Sequence, residues 1–236
     1  MKTGRRVDGQ TGSVRQRAAK ALAALLFLSA YPSTRLPAQS DADAVLDRAV
    51  AAFQRVATLR ADFTQSVNDP MIGTSESSRG EFVQQRPNKF AMRFRHPAGD
   101  VILSDGQTLW LYLPSTTPNQ VVRSTIARGQ SPDVVAEFLD QPRERFTIAY
   151  VRADSVGRRA ADVLAFAPKG QNSAYQRVLV WIDRQDDLPH QAEITEASGA
   201  VRRITFDRLQ VNGAVRASEF VFTPPAGVRI VDATQP

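Results

Sequence analysis

Hydrophobic spacing predicts a helix near the start of the chain. Apolar residues recur there at three-, four- and seven-residue intervals, which places them along one side of a helix that packs against other elements. Ser40 or Asp41 can accept a hydrogen bond from the first turn and so cap the N-terminus. We therefore predict a helix over residues 43–59. Its apolar positions are Leu46, Ala49, Val50, Phe53, Val56 and Ala57.

After this helix the pattern changes to short apolar runs separated by turn residues. Many short strands with turn signals between them favour a β-sandwich or β-barrel over alternating strand and helix units. The roughly 196 residues that follow residue 40 suit one domain. Whether the tail beyond Pro225 adds a strand is open at this level. The predicted strands cover residues 59–68, 80–85, 89–95, 101–104, 107–113, 121–124, 145–152, 162–167, 175–183, 190–196, 201–208 and 217–222.

A short helix interrupts the predicted strands. Ser131 is suited to the N-cap and Pro132 to the first helical position. The residues up to Leu139 then place four apolar side chains on one face, Val134, Val135, Phe138 and Leu139. A flat sheet would not need a helix here, so we expect it to cover something.

The predicted strand over residues 89–95 has an unusually bulky face. Phe90, Met92 and Phe94 are spaced by two and so share one side of the strand, while Arg93 takes the other. Arg86 lies just before this strand and precedes a proline, which favours extended geometry for Arg86 itself. The pattern predicts a large apolar group against this strand.

Four short motifs stand in order along the chain. They are Ala61-Asp62-Phe63-Thr64-Gln65, Arg86-Pro87-Asn88-Lys89-Phe90, Ser104-Asp105-Gly106-Gln107-Thr108-Leu109-Trp110, and the stretch from Phe220 to Val228. Each is common by itself, but together they resemble the LolA family of periplasmic outer-membrane lipoprotein carriers. The resemblance implies a mainly β fold with some α structure. It would be an incomplete, unclosed antiparallel β-barrel of about 11 strands, covered by a helical lid to which the N-terminal helix contributes.

The resemblance also implies roles for individual residues. Arg86 matches the family arginine that hydrogen-bonds to the lid and favours the closed, empty state. From spacing alone, the alternative is a surface ion pair worth under about 1 kcal/mol. A hydrophobic cavity for acyl chains would be walled by Phe53, Phe63, Phe82, Phe90, Met92, Phe94, Leu109, Leu111 and Trp181, with Val134, Val135, Phe138 and Leu139 in the lid. For any one of these side chains, simple core filling is the alternative.

The first forty residues have the layout of a secretory signal peptide. A basic region is followed by an apolar run from Ala21 to Tyr31, too short for the roughly 20 residues that span a bilayer. Cleavage is expected after Ala38 or Ser40, which leaves residues 41–236 as the carrier domain. We therefore expect a soluble periplasmic protein, with the true start codon left open.

Removing residues 1–40 changes the electrostatic picture. The whole chain has 30 Lys and Arg against 24 Asp and Glu, a net charge of +6. Seven of those cations and one of the acids lie in residues 1–40, so 23 of each remain. A basic footprint on the folded domain, which nucleic-acid binding requires, is therefore missing on average. The chain has no cysteine, which excludes disulfides, thiolate metal sites, cysteine nucleophiles and self-lipidation.

The sequence shows no local signature of catalysis. It has no Gly-x-Ser-x-Gly elbow, no His-Glu-x-x-His and no phosphate-binding glycine loop. His96 and His190 each adjoin a proline, so surface turns are predicted for both. Asp183, Asp186 and Asp187 are expected in a solvated turn, because a calcium loop would need more oxygen ligands. We expect no enzyme activity, no cofactor and no metal, although carboxylates from distant strands could still meet.

The resemblance implies a carrier that takes acylated lipoproteins from an inner-membrane ABC lipoprotein-releasing complex to an outer-membrane lipoprotein acceptor. We expect it to act as a monomer. One alternative is a periplasmic sensor or regulator with the same half-barrel that binds lipids or lipoproteins as a signal. Another is an enzyme that uses the fold, which would need ionisable residues clustered inside the cavity.

Overall fold

A single sheet of twelve strands forms the body of the protein. The computed structural model describes residues 37–71, 73–126, 134–170 and 173–233. The signal peptide predicted over residues 1–40 therefore lies almost wholly outside the described part. The strands are β1 (Thr58–Asp69), β2 (Thr74–Gln85), β3 (Lys89–His96), β4 (Ala98–Asp105), β5 (Thr108–Tyr112), β6 (Gln120–Thr125), β7 (Phe146–Val156), β8 (Arg159–Pro168), β9 (Tyr175–Asp183), β10 (Pro189–Glu196), β11 (Val201–Val211) and β12 (Arg229–Asp232).

The strand order shows that the sheet does not close. It runs β12-β6-β5-β4-β3-β2-β1-β11-β10-β9-β8-β7, with β12 and β7 at opposite ends. Neighbouring strands are antiparallel, except that β12 is parallel to β6. The unclosed, mainly β architecture predicted from the sequence is confirmed. The tail beyond Pro225, for which a further strand was undecided, adds β12.

A glycine in β2 allows β3 to approach closely at an irregular point of their pairing. The pairing of β2 with β3 shifts between Arg79 and Gly80. A Cβ atom on Gly80 would lie 2.1 Å from the carbonyl oxygen of Arg93 and 2.8 Å from the ring of Phe63. Only glycine allows the two strands to approach this closely, and bulges of this kind increase the local twist of a sheet.

The N-terminal helix, α1, spans Pro37–Gln54 rather than residues 43–59. Ser40 and Asp41 therefore lie inside it, and the predicted cap was wrong. Proline is favoured in the first turn because its missing N–H would have no partner there. At the other end, the amide of Val56 bonds to the carbonyl of Phe53 at 3.0 Å and closes the last turn, and Leu59 already belongs to β1.

The described part of the connection from β6 to β7 contains two short helices. The first, α2, spans Val134–Leu139 and belongs to the predicted lid, while Ser131 and Pro132 lie outside the described residues. The second, α3, spans Pro142–Arg145 and follows Gln141, whose φ of 49° is in the left-handed region. The hydrophobic pattern of the sequence did not predict α3. Among the described residues, no helix is long and apolar enough to cross a bilayer.

The inner face of the sheet and the helices share one apolar core. It includes Ala49 and Phe53 of α1, Phe138 and Leu139 of α2, and Phe206 of β11. Successive side chains of a strand point to opposite faces, so the remaining buried apolar residues of β2–β6 must be covered from outside. Those residues are Val83, Ala91, Leu103 and Val121.

The C-terminal segment covers this outer face. Residues 217–222 were predicted as a strand, but Ala217–Phe220 form a 3-10 turn. Glu219 bonds through its side chain to Arg60 at 2.6 Å and through its carbonyl to Arg93 at 3.1 Å, so it pairs with side chains rather than with a strand. Phe222 packs on Trp110 at 5.6 Å between ring centroids. The segment then adds β12 beside β6.

The expectation of a solvated acidic turn after β9 is corrected for Asp183, which is buried, whereas Asp186 and Asp187 are partly exposed. Asp183 is 1% exposed and accepts hydrogen bonds from Arg159 at 2.7 and 2.8 Å. Arg159 also bonds to Asp186, which lies 3.0 Å from the ring of His190. His190 is 5% exposed, so its predicted place in a surface turn was wrong. His96 at the end of β3 is exposed, as predicted.

The side chains of Asp183, Asp186 and His190 are close enough together to surround a cation. The ligand atoms of Asp183, Asp186 and His190 lie within 4.8 Å of one another. Arg159 already supplies the positive charge among them. Burial would raise the pKa of Asp183, but its hydrogen bonds from Arg159 and the backbone outweigh this and lower the pKa. The group is therefore a structural ion-pair network that closes the turn.

We expect Asp183→Asn to lower the free energy of unfolding by about 2 kcal/mol, because a charged hydrogen-bond partner of Arg159 is lost. Urea unfolding at neutral pH measures this. Since the pKa of Asp183 is lowered in the folded state, its contribution is complete above the unfolded pKa and is lost as pH falls through the folded pKa. The difference between parent and variant should therefore shrink in acid. Exposed Asp140→Asn is the control and should change stability by less than about 0.5 kcal/mol.

Candidate functional site

The interior between the helices and the sheet is the candidate site. Helix α2 is anchored there through Phe138, whose ring lies 5.8 Å from Phe146, 6.0 Å from Phe166 and 6.0 Å from Tyr175. Aromatic pairs at these separations add stabilisation beyond the area they bury. The three partners belong to β7, β8 and β9, so α2 is held on that part of the sheet.

The space beneath α2 is nearly filled. An apolar cavity of about 10 Å³ remains there, lined by Val135, Leu139, Val180 and Phe206 among others. This is about the volume that one water molecule needs, whereas pockets for small organic ligands measure about 300–1,000 Å³. The structure is therefore closed over this region, and any sizeable apolar ligand must displace α2 to enter.

Most of the predicted cavity wall does meet in this interior. Phe82 lies at its centre, with ring centroids 6.3 Å from Phe90 and 5.4 Å from Phe206. Phe94 meets Phe63 edge to face at 5.0 Å. The side chains of the wall that belong to the inner core are Phe53, Phe63, Phe82, Phe90 and Met92, with Phe94 and Leu109 partly buried against it. Leu111 is half-buried on β5 and is not among the side chains packed on this core.

Trp181 was wrongly assigned to the cavity wall. It lies on the opposite face of β9, in a separate small cluster with Ala161, Val163 and Leu179. Its indole N–H donates to Asp154 at 3.0 Å, and Arg152 lies over its ring at 5.8 Å. The inner positions of β9 are instead Val178, Val180 and Ile182.

The lid residues that the structure describes face the core. Val135, Phe138 and Leu139 are all less than 10% exposed and belong to the inner core. Val134 begins α2, but its side chain lies outside the described part of the structure. The apolar face predicted for this helix thus packs on the sheet.

Arg86 holds the end of α1. Its guanidinium donates to the carbonyl oxygen of Phe53 at 3.0 Å and lies 4.5 Å from the centre of the Phe53 ring. Its own amide donates to the carbonyl of Ala57 at 3.0 Å. The last carbonyls of a helix lack intrahelical partners, so a cation there is doubly favourable. The contact expected between Arg86 and the lid thus falls, among the described residues, on α1 rather than on α2.

Sequence reasoning missed the ion pairs that tie α1 to the rest of the molecule. Arg143 of α3 contacts Asp43 at 3.1 Å and Asp47 at 2.8 Å. Arg48 contacts Asp187, in the turn after β9, at 3.1 Å. The spacing of Asp43 and Asp47 by four places them on one helix face, which was the available signal. Their partner lies about a hundred residues away in the chain and could not be identified from that spacing.

The chain matches a known family model and named relatives. The model described as outer membrane lipoprotein carrier protein LolA matches residues 54–223. An outer-membrane lipoprotein carrier protein of Methylobacillus flagellatus is 31% identical over 182 residues, covering 77% of this chain and 85% of the relative. The protein of the same description from Bordetella pertussis is 30% identical over 221 residues, covering 92% and 97%.

A solved structure is similar in fold. It is an uncharacterized conserved protein from Thermus thermophilus, with a TM-score of 0.52 and 14% sequence identity. The match covers 81% of this chain and 98% of that chain. At this identity the likeness shows the fold alone.

We expect Phe138→Ala to lower the free energy of unfolding by about 3 kcal/mol, because it removes the ring that α2 packs against three aromatic partners. Chemical denaturation followed by circular dichroism measures the loss. Val151→Ala on β7, where the side chain is 43% exposed, is the control and should cost less than about 0.5 kcal/mol. Equal stability of the two variants would mean that α2 is not anchored by Phe138.

Proposed function

Because the chain belongs to the LolA family of outer-membrane lipoprotein carriers, we propose that it carries lipoproteins and shields their acyl chains in the interior beneath α1 and α2. The observation that carries this proposal is the apolar inner face closed by a helix that packs on it through Phe138 and Leu139. The relatives with this description align with the chain over most of their own length. In this proposal the chain is a binding protein and carries out no covalent chemistry.

A carrier must bind its cargo and also release it. Burying a sixteen-carbon chain is worth on the order of 12 kcal/mol at about 0.8 kcal/mol per methylene, before ordering costs. Two or three chains bound with that full gain would not leave. In the proposed mechanism, part of the gain is offset by separating α2 from Phe146, Phe166 and Tyr175. The closed form then competes with the ligand, and the population shifts as cargo arrives or leaves.

In this mechanism Arg86 contributes to the stability of the closed form. A hydrogen bond from a charged donor adds about 1.5–3 kcal/mol when it is well made, and less where solvent reaches it. Arg86 is half-buried, so its share is at the lower end. This contribution is smaller than that of the packing of α2. It acts at the end of α1, where Arg86 bonds to the carbonyl of Phe53. Loss of Arg86 would therefore favour open, loaded protein.

The proposed route begins with export. Residues 1–40 would direct the chain to the periplasm and be removed after Ala38 or Ser40. Both sites fall in the first turn of α1, so cleavage would leave the helix to begin close to Asp41. The mature protein would accept lipoproteins from an inner-membrane ABC complex and deliver them to an outer-membrane acceptor.

Purification of the exported protein followed by mass spectrometry tests the carrier proposal. We expect co-purified lipoprotein, and release of lipoprotein from inner-membrane vesicles when the empty protein is added with an energised transporter. Protein that is always empty and solubilises no lipoprotein would contradict the proposal. The measurement needs no assumption about which lipoproteins are carried.

We expect Arg86→Leu to accept lipoprotein but transfer it more slowly to acceptor membranes, because the closed form loses a contact. Transfer of a labelled lipoprotein from purified complex to outer-membrane vesicles gives the rate. Arg79→Leu, at an exposed arginine of β2, the strand that ends just before Arg86, is the matched control and should transfer at the parental rate. Equal rates for Arg86→Leu and the parent would remove Arg86 from the mechanism.

A further inference from the structure

The helices leave one end of the inner face uncovered. Along β1 the inner residues change from buried Leu59, Ala61 and Phe63 to partly exposed Gln65 and Val67. The same change occurs along β3, where Phe90 and Met92 are buried but Phe94 is partly exposed. The groove is therefore plugged near the helices and open at the far ends of these strands.

A cavity of about 240 Å³ occupies this open end. Its apolar part is formed by Val67, Phe94 and Ile102, and Phe94 and Ile102 also pack on the inner core. Phe94 contacts Phe63 at 5.0 Å between ring centroids, so the wall of this cavity adjoins the apolar core beneath the helices. In contrast to the space beneath α2, this cavity is open before any helix moves.

The rest of the lining is polar. Gln65 donates to Ser78 at 3.3 Å across the cavity wall, and both side chains face the groove. Buried Asp100 is held in place by Ser115, which donates from its amide at 3.1 Å and from its hydroxyl at 2.6 Å. An apolar floor beneath hydroxyl and amide groups suits the junction where an acyl chain joins a polar group.

The formal charges of the lining are mainly negative. Glu76 and Asp100 each contribute a carboxylate, while the guanidinium of Arg202 is already paired with Glu196 at 3.0 Å. Repulsion between these carboxylates and a negatively charged ligand disfavours its binding, although solvent screens part of the effect at an open site. An anionic headgroup is therefore disfavoured here, and an uncharged or cationic group is accepted.

We propose that this cavity binds the diacylglyceryl-cysteine junction of the cargo and discriminates against anionic phospholipids through Glu76 and Asp100. The inference rests on the proposed function and adds which group of the lipoprotein binds at the open end of the groove. The ester and peptide groups of a lipoprotein N-terminus accept and donate hydrogen bonds without negative charge. A phosphodiester brings a full negative charge to the same place. The two classes of lipid share their acyl chains and differ at this cavity.

Native mass spectrometry of the full exported protein can measure this discrimination. The protein is offered equal amounts of a synthetic dipalmitoylglyceryl-cysteinyl peptide with an acetylated N-terminus and of dipalmitoyl phosphatidylglycerol. We expect the lipopeptide complex to exceed the phospholipid complex by about tenfold, which is 1.4 kcal/mol. Glu76→Lys should reduce this ratio to near one. Asp207→Lys, which makes the same charge change at an exposed position of β11, should keep the parental ratio.

A second pair of variants tests occupancy of the cavity rather than its charge. Ser78→Trp would fill the open end from the groove side, and we expect lipopeptide binding to fall by about tenfold with an unchanged melting temperature. Ser66→Trp places the same ring on the exposed side of β1 and should bind as the parent does.

The outcomes separate the two proposals. A parent that binds neither ligand contradicts the carrier function itself. A parent that binds both ligands equally, or Ser78→Trp that binds lipopeptide as well as the parent does, overturns the junction site and leaves the carrier proposal intact. A parental ratio that Glu76→Lys does not change also overturns the charge argument.

Discussion

Coverage of one apolar sheet face by two helices is the interaction on which the rest of the structure depends. An unclosed sheet exposes its inner side chains unless another element packs on them, and α1 and α2 do so through residues such as Phe53 and Phe138. Phe138 alone contacts three rings from three strands. The same packing that stabilises the fold leaves a cavity of only about 10 Å³. Core packing and ligand binding are therefore alternative uses of one surface.

The polar contacts of α1 keep this arrangement in register. Arg86 bonds to its last turn, and Arg143 pairs with Asp47 nearer its start. Arg48 of the helix itself pairs with Asp187 in the turn after β9. Exposed ion pairs contribute little to stability by themselves, so their main effect is on position. The outer face has its own cover, in which the C-terminal segment bonds through Glu219 and packs through Phe222. The inner and outer faces of the sheet therefore have separate covers.

Residue patterns were reliable where only one face of a strand is apolar. Phe90, Met92 and Phe94 were placed correctly on one face of β3, because Arg93 and Arg95 alternate with Phe94 and mark the other face as polar. Trp181 was misplaced because β9 is apolar on both faces, and alternation cannot say which face lies inside. Asp183 and His190 were expected in solvent because Arg159, the partner that makes burial of Asp183 possible, is distant in sequence. Strand propensity likewise failed at residues 217–222, which pair with side chains of the outer face.

The sequence by itself determined the succession of β1 to β11, the two covering helices and the family to which the chain is similar, because periodicity and ordered motifs are local properties. The tertiary structure decided the partner of Arg86, the face on which Trp181 lies, the addition of β12 and the location of the open end of the groove. Each of these depends on contacts between segments far apart in the chain. Such contacts are set by how the elements pack together, and a local pattern carries no record of them.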